Sequence, residues 1–263
     1  MNERDYAVFI DQMKKSFRMD ISAYKQERIK RRIDSFLTKN GFSNYSALLT
    51  AFYQDSHLLE AFIDHLTINV SEFYRNSNRW DILEKKIIPK IIEKNSGKLK
   101  IWSAACASGE ESYTLSIILS RVLPKHRYEI HATDIDHRIL QKAKQGMYQE
   151  RSLNEVPIQI KNTYFLKEQD TYTIQPEIKQ NVKFKQHDLL VQPYETGYDL
   201  IVCRNVTIYF TEAARNMVHQ KFSQALRPGG FLFVGSTEQV LSPERYGLQM
   251  IEPFFYQKTE KRG

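Results

Sequence analysis

At Gly97 the hydrophobic pattern of this chain changes period, and that change bounds what it can fold into. Behind Gly97, strand-like and helix-like segments alternate. Leu99-Lys100-Ile101-Trp102 reads as a strand. Residues 110–122 read as a helix with Leu115, Ile118, Leu119 and Val122 on one side. Further strands are predicted over 128–132, 182–185, 198–203 and 231–234, with Phe254-Phe255-Tyr256 as the last. Helices are predicted from about His137 and over 211–226, the second closed by Pro228-Gly229-Gly230. The alternation predicts an α/β domain: a mostly parallel sheet with helices on both faces. One stretch departs from it. Thr163-Tyr164-Phe165-Leu166 and Tyr172-Thr173-Ile174 fall where a single crossover is expected, and predict a small antiparallel β insertion over 158–186.

Ahead of Gly97 the apolar spacing is helical. Residues 1–75 contain no convincing strand and predict a small all-helical domain, broken near Gly41, Ser43 and Asn44. Ile29, Ile33, Phe36 and Leu37 share one helix face, and Lys25, Arg28, Arg32 and Lys39 form an adjacent basic stripe. Residues 76–98 predict a connecting helix, with Trp80, Leu83, Ile87 and Ile88 at helical spacing before Pro89 and a stop at Asn95-Ser96-Gly97. The organisation is therefore 1–75, a linker over 76–98, and a sheet domain over 99–263.

Composition narrows the class further. A 41% hydrophobic content suits a globular chain, and no apolar run is long enough to span a bilayer. The first residues, charged and without an apolar core, do not read as a secretion signal, so a cytoplasmic protein is expected. Cys106 and Cys203 lie at strand ends and read as small buried thiols; two cysteines make neither a disulfide framework nor a four-ligand zinc site. The net charge of +7 suits an acidic partner.

The segments with chemistry sit at strand ends. Ile101-Trp102-Ser103-Ala104-Ala105-Cys106-Ala107-Ser108-Gly109-Glu110-Glu111 is a strand, a small-residue loop and a helix start. Small side chains let backbone approach a ligand at the place where open α/β sheets bind nucleotides. Only Gly109 is glycine, and two acids follow at once, which would repel a pyrophosphate. That argues against a nicotinamide dinucleotide and for a cationic ligand without phosphate, such as S-adenosylmethionine. The same residues would equally serve as a plain capped helix start. At the next strand end, Ala132-Thr133-Asp134-Ile135-Asp136 offers Asp134 for ribose hydroxyls and Asp136 as a helix cap. His187-Asp188-Leu189-Leu190 ends the third strand and could read an adenine amino group. Cys203-Arg204-Asn205-Val206-Thr207-Ile208-Tyr209-Phe210 ends the fourth. It lacks the Asn/Asp-Pro-Pro-aromatic run of methyltransferases for nucleic-acid amino groups, so no nucleic-acid partner is expected.

Together these segments resemble the chemotaxis receptor methyltransferases, the CheR family. The resemblance rests on Ile68-Asn69-Val70-Ser71-Glu72-Phe73-Tyr74-Arg75, residues 102–111, 132–136 and 203–210, and Leu226-Arg227-Pro228-Gly229-Gly230-Phe231-Leu232-Phe233-Val234-Gly235-Ser236-Thr237-Glu238. It implies an α/β fold with a small N-terminal all-helical domain, then a Rossmann-like S-adenosylmethionine methyltransferase domain bearing a small antiparallel β insertion. It implies cofactor contacts at Asn69, Ser71, Arg75, Glu111 (with Glu110 as the neighbouring option), Asp134, Asp188, Leu189, Arg204 and Asn205. The family's Thr-Asn-Leu-Thr is Ile-Asn-Val-Ser here, so Ile68 is not carried over.

The reaction implied is transfer of a methyl group from S-adenosylmethionine to receptor glutamates, giving γ-methyl esters and S-adenosylhomocysteine. A glutamate with a pKa of about 4.3 is already ionised at neutral pH, so no general base is required. Catalysis would rest on alignment and exclusion of water. Arg75 and Tyr209 are the candidates at the reaction centre, Arg75 on the cofactor carboxylate and Tyr209 orienting the acceptor; an aromatic core residue and a surface ion pair are the plain alternatives. Lys25, Arg28 and Arg32 are the candidate dock for the acidic cytoplasmic helices of methyl-accepting receptors, with a solvated face as the alternative. The insertion, lacking glycine over 158–186, is expected to touch the receptor without capturing a tethering peptide. A monomer is expected. A methyltransferase for another acceptor, and a non-catalytic cofactor-sensing scaffold, remain the competing functions.

Overall fold

The computed structural model describes residues 3–67, 69 and 71–260. Four helices come first: α1 (Glu3–Phe17), α2 (Gln26–Lys39), α3 (Tyr45–Gln54) and α4 (Ser56–Leu66). Asn44 and Asp55 cap α3 and α4 by accepting from backbone N–H groups of the first turn. Phe9, Met13, Ile33, Phe36, Phe52 and Phe62 fill a separate hydrophobic core between them. The apolar face of α2 is the one its spacing predicts, Ile29, Ile33, Phe36 and Leu37 all being buried.

A helical segment follows as α5 (Ser77–Ile82), one wide π turn over Leu83–Ile87, and α6 (Ile88–Lys94). The wide turn has a local cause. Pro89 has no N–H and its ring would collide with a carbonyl of the turn before, so the helix opens there and then resumes.

The remainder is built on a seven-stranded sheet in the order β6-β2-β1-β7-β8-β10-β9. Its strands are β1 (Leu99–Ala104), β2 (Tyr128–Asp134), β6 (Val182–Gln186), β7 (Tyr198–Cys203), β8 (Leu226–Val234), β9 (Leu248–Glu252) and β10 (Phe255–Lys258). The first five run parallel; β10 is antiparallel to both β8 and β9. β9 was not expected from the sequence, because only Leu248 of its five residues is buried and its alternation is weak. β8 begins at Leu226, so Pro228-Gly229-Gly230 lies inside a strand whose register shifts rather than in a loop. α7 (Glu110–Ser120) and α8 (His137–Gln145) follow β1 and β2, and α11 (Glu212–Ala225) precedes β8. Two further apolar clusters line the two faces of the sheet.

A second sheet of three strands has the order β3-β5-β4, from β3 (Met147–Gln149), β4 (Phe165–Glu168) and β5 (Thr171–Ile174), all antiparallel. It takes its first strand ahead of residue 158, and Val182–Gln186 belongs to the large sheet, so the span 158–186 is corrected at both ends. α9 (Ile158–Tyr164) and α10 (Pro176–Lys179) flank β4 and β5. Between β4 and β5 a two-residue turn forms without glycine, Gln169 taking the left-handed conformation at φ 53°. Among the described residues, no helix is long and apolar enough to cross a membrane.

Candidate active site

The strand order reverses between β1 and β7, and the crevice at their carboxyl ends is where an open sheet binds ligands. A cavity of about 680 Å³ lies there, closed on its far side by the N-terminal helices. Its lining includes Lys25, Arg28, Arg31, Arg32, Asn69, Ser71, Arg75, Glu111, Asp134, Asp188, Leu189, Arg204, Asn205 and Tyr209. Every site residue expected from the sequence thus reaches one cavity, although they come from six separate segments.

The loop after β1 is held by the end of β2. Cys106 N donates to Thr133 O at 2.9 Å, and Ala107 N donates to Asp134 Oδ2 at 2.9 Å. Ala105 and Ala107 adopt left-handed backbone, at φ 56° and 47°, which costs an L-residue about 1–2 kcal/mol each. Gly109, at φ 92°, opens α7; a Cβ there would stand 3.1 Å from Ala143 Cβ and 3.2 Å from the Phe184 ring. Glycine is required by both conformation and space.

Of three carboxylates on this side, Asp134 is buried and Glu111 and Asp188 are half-buried. Asp134 is pushed up to about 6 by burial, partly offset by N–H donors from Asp136 and Ala107. Glu111 is pushed up to about 7 by burial, with Arg204 opposing. Burial also raises Asp188, whose Oδ1 accepts from Leu190 N at 2.7 Å. Glu110 turns away, accepting twice from Ser108 Oγ, and does not line the cavity; Glu111 is the one that faces it. Asp136 caps α8 as expected, accepting from Arg138 N and Ile139 N.

Arg204 is almost wholly buried. Its Nη2 donates to Arg75 O at 2.9 Å and to Asn76 Oδ1 at 3.0 Å, its Nη1 stands 3.6 Å from Glu111 Oε2, and its plane lies near the Trp80 and Phe233 rings. It braces the linker against the sheet as well as lining the cavity. Asn69 does similar work: its amide donates to Asp136 Oδ2 at 2.8 Å and to Thr67 Oγ1 at 3.0 Å. Ser71 lines the same cavity. Of the linker run quoted above, Ile68 and Val70 lie outside the described residues.

The loop after β7 turns on a residue that sequence reasoning passed over. Glu238, 2% exposed, accepts from the backbone N–H groups of Asn205, Val206 (2.7 Å) and Thr207 (2.6 Å), from Thr207 Oγ1 (2.9 Å) and from Gly235 N (3.1 Å). One carboxylate thereby fixes Asn205 at φ 62° and sets the path to Tyr209. Gly235 makes room for it, since a Cβ there would overlap Glu238 and come within 2.9 Å of Asn205 N. The sequence signal was an acid four residues beyond the end of β8.

The N-terminal helices bring the opposite charge. Lys25, Arg28 and Arg31 are exposed on α2 and its first turn, and their side chains have no ion-pair partner among the described residues. Arg32 corrects the expected docking stripe. Its guanidinium donates to His65 O at 3.0 Å through Nε and to Thr67 O at 3.2 Å through Nη2, satisfying the carbonyls that α4 leaves open at its C-terminus. Arg31 takes the exposed place instead.

A crevice with carboxylates and no phosphate cradle, at the switch point of a parallel sheet with one antiparallel strand, β10, inserted between β8 and β9, defines the chain as a Rossmann-like methyltransferase. Its buried carboxylates suit a ligand carrying sulfonium and ammonium groups, and S-adenosylmethionine is the cofactor. Residues 69–252 match the family model described as "CheR methyltransferase, SAM binding domain", and residues 4–67 match "CheR methyltransferase, all-alpha domain". The chain belongs to the CheR methyltransferase family. It is 46% identical over 257 residues to a "Chemotaxis protein methyltransferase" of Listeria innocua, covering 98% of each chain. Similar proteins with the same description occur in Listeria monocytogenes (45% identity, 98% of each chain) and Borreliella burgdorferi (33% identity, 93% of this chain and 90% of the other).

Proposed function

We propose that this methyltransferase acts on glutamate side chains in the cytoplasmic helical region of methyl-accepting chemotaxis receptors, giving γ-methyl esters. The observation that carries the reading is the split of charge across one cavity. Partly or fully buried carboxylates line the sheet side, and cations at the start of α2, without an ion-pair partner among the described residues, flank the other. A lysine or arginine acceptor would meet repulsion from Lys25, Arg28 and Arg31. An acidic helix would be attracted, and its carboxylate arrives already ionised, so no side chain has to remove a proton. The relatives described as chemotaxis methyltransferases support the same acceptor.

When bound, S-adenosylmethionine supplies a methyl group on a positively charged sulfur. Asp134 would accept from the ribose hydroxyls with the lone pairs that Ala107 and Asp136 leave available. Asp188 and Leu189 would hold the adenine, while Glu111, Asn69, Ser71, Arg204 and Asn205 would form the wall towards the amino-acid end. Arg75 would pair the cofactor carboxylate, since pairing the acceptor would blunt a nucleophile. Tyr209 would donate a hydrogen bond that aligns the acceptor carboxylate oxygen, which takes the methyl group as S-adenosylhomocysteine departs. Alignment and water exclusion supply the rate. The test is transfer of labelled methyl to a purified receptor cytoplasmic fragment, with glutamate-to-alanine variants as controls. Label released as methanol by alkali identifies an ester; alkali-stable label would overturn the assignment.

A further inference from the structure

Between residues 23–25, just ahead of α2, and the loop after β7, a short piece of antiparallel pairing joins the two halves of the molecule. Lys25 N donates to Tyr209 O at 2.9 Å, and Thr211 N donates to Ala23 O at 2.8 Å. Tyr24 and Phe210 face each other across this bridge, their rings edge to face at 5.2 Å. Tyr24 also lines the cavity; burial raises its phenol, and Asp188, Asp134 and Asp20 add to the shift. Lys25 is the residue that precedes the first turn of α2, the helix carrying the exposed cations. The backbone of the candidate reaction-centre residue is therefore hydrogen-bonded directly to the backbone at the root of the candidate docking helix.

We infer that residues 23–25 act as a positioning strand: the Lys25 N–H holds Tyr209 in its working place, so the N-terminal helices set the geometry of methyl transfer as well as the affinity for substrate. This rests on Tyr209 being at the reaction centre. Glu238 fixes the other end of the same loop at residues 205–207, so Tyr209 lies between two anchors, one from the sheet and one from the helical part. Loss of the second anchor leaves the loop's start in place and frees the part that carries the tyrosine.

The backbone permits a clean removal of that anchor. Lys25 has φ −61°, which proline adopts without strain, and Tyr24 has the extended φ −94°, ψ 157° that a residue before proline favours. Lys25→Pro deletes one N–H while keeping the fold of the turn, and Lys25→Ala accounts for the lost ammonium group. With a receptor cytoplasmic fragment as substrate, Lys25→Ala should raise KM only. Lys25→Pro should raise KM equally and also lower kcat about fivefold to tenfold, with S-adenosylhomocysteine affinity and Tm matching the alanine variant, as expected for one mispositioned group. In a Tyr209→Phe background the proline should cost no further kcat, because its effect runs through that hydroxyl.

Equal kcat for the proline and alanine variants would overturn the inference, as would an undiminished loss in the Tyr209→Phe background. A Tyr209→Phe enzyme with unaltered kcat would instead remove the role given to Tyr209. Should Lys25→Pro not fold, Thr211→Pro deletes the other bridge donor at φ −61°, after Phe210 in extended backbone, with Thr211→Ala controlling for the lost cap of α11. The same loss of kcat is expected from it, and its absence counts against the positioning strand.

Discussion

The two walls of the cavity differ in how their charges are held. On the sheet side Asp134 is buried, Asp188 and Glu111 are half-buried, and donors from the chain itself fix each carboxylate: backbone N–H groups for the two aspartates, Ser103 Oγ and Arg204 for Glu111. On the helical side Lys25, Arg28 and Arg31 stand in solvent with no ion-pair partner among the described residues. Fixed, dehydrated charge recognises one small molecule in one pose, and its contribution is large because water competes little. Mobile, hydrated charge recognises a surface, tolerates variation in it and is screened by salt.

That contrast breaks first at Asp134. Asp134→Ala removes the proposed ribose acceptor and leaves Ala107 N and Asp136 N unpaired, so S-adenosylhomocysteine affinity should fall by about 100-fold or more by calorimetry. A fall under tenfold would mean the fixed wall does not bind the cofactor there. Next is the clamp behind it: Glu238→Gln places an amide N–H₂ against backbone donors and should cost about 2–4 kcal/mol of stability in chemical denaturation, with loss of activity in whatever folds. On the mobile side, Arg28→Glu with Arg31→Glu should raise KM for a receptor fragment about tenfold, less at high salt, with cofactor affinity unchanged. Equal loss of cofactor binding would erase the distinction between the walls. Arg32→Ala should behave as neither, lowering stability by about 1–2 kcal/mol through the open carbonyls of α4 and leaving KM near its original value.

The fixed wall also has a pH signature with two opposite signs. Burial raises Glu111 to about 7 and Asp134 to about 6, above their unfolded values, so the folded protein binds more protons than the unfolded chain. These two groups therefore make the cofactor-free protein less stable as pH rises from about 4.5 through 7. Cofactor affinity should rise over the upper part of that window, as the carboxylates ionise towards a cation. Calorimetry near pH 6.5 should show proton release on binding, and uptake would contradict the assignment.

How much of this could be read from the sequence depended on what kind of signal each part leaves. The switch at Gly97 exposed the parallel strands because buried strands and amphipathic helices carry strong periods. β9 escaped because an exposed edge strand carries almost none. Asp134 and Asp188 were visible because a strand end is a fixed address in this architecture. Arg32 was misassigned for a different reason: helical spacing gives the direction in which a side chain leaves the axis, but not that the open end of α4 lies within its reach. Glu238 and the pairing of residues 23–25 with 209–211 join positions far apart in the chain, and local pattern records neither. The small residues at 105–109 were read as room for a ligand; the left-handed backbone at Ala105 and Ala107 adds that two of them also carry strain.

The helical core around Phe9, Ile33 and Phe62 shares no fully buried member with the two clusters that line the sheet. What joins them is a thin seam: polar contacts such as Arg138 to His57 O and Asn69 to Asp136, the Tyr24–Phe210 ring contact, and Ile135 packed against the helical core. In a scanning calorimeter the unliganded protein should thus give two overlapping endotherms rather than one. A ligand that touches both sides of the seam adds its binding energy to cohesion between the cores, so saturating S-adenosylhomocysteine should draw the two peaks together.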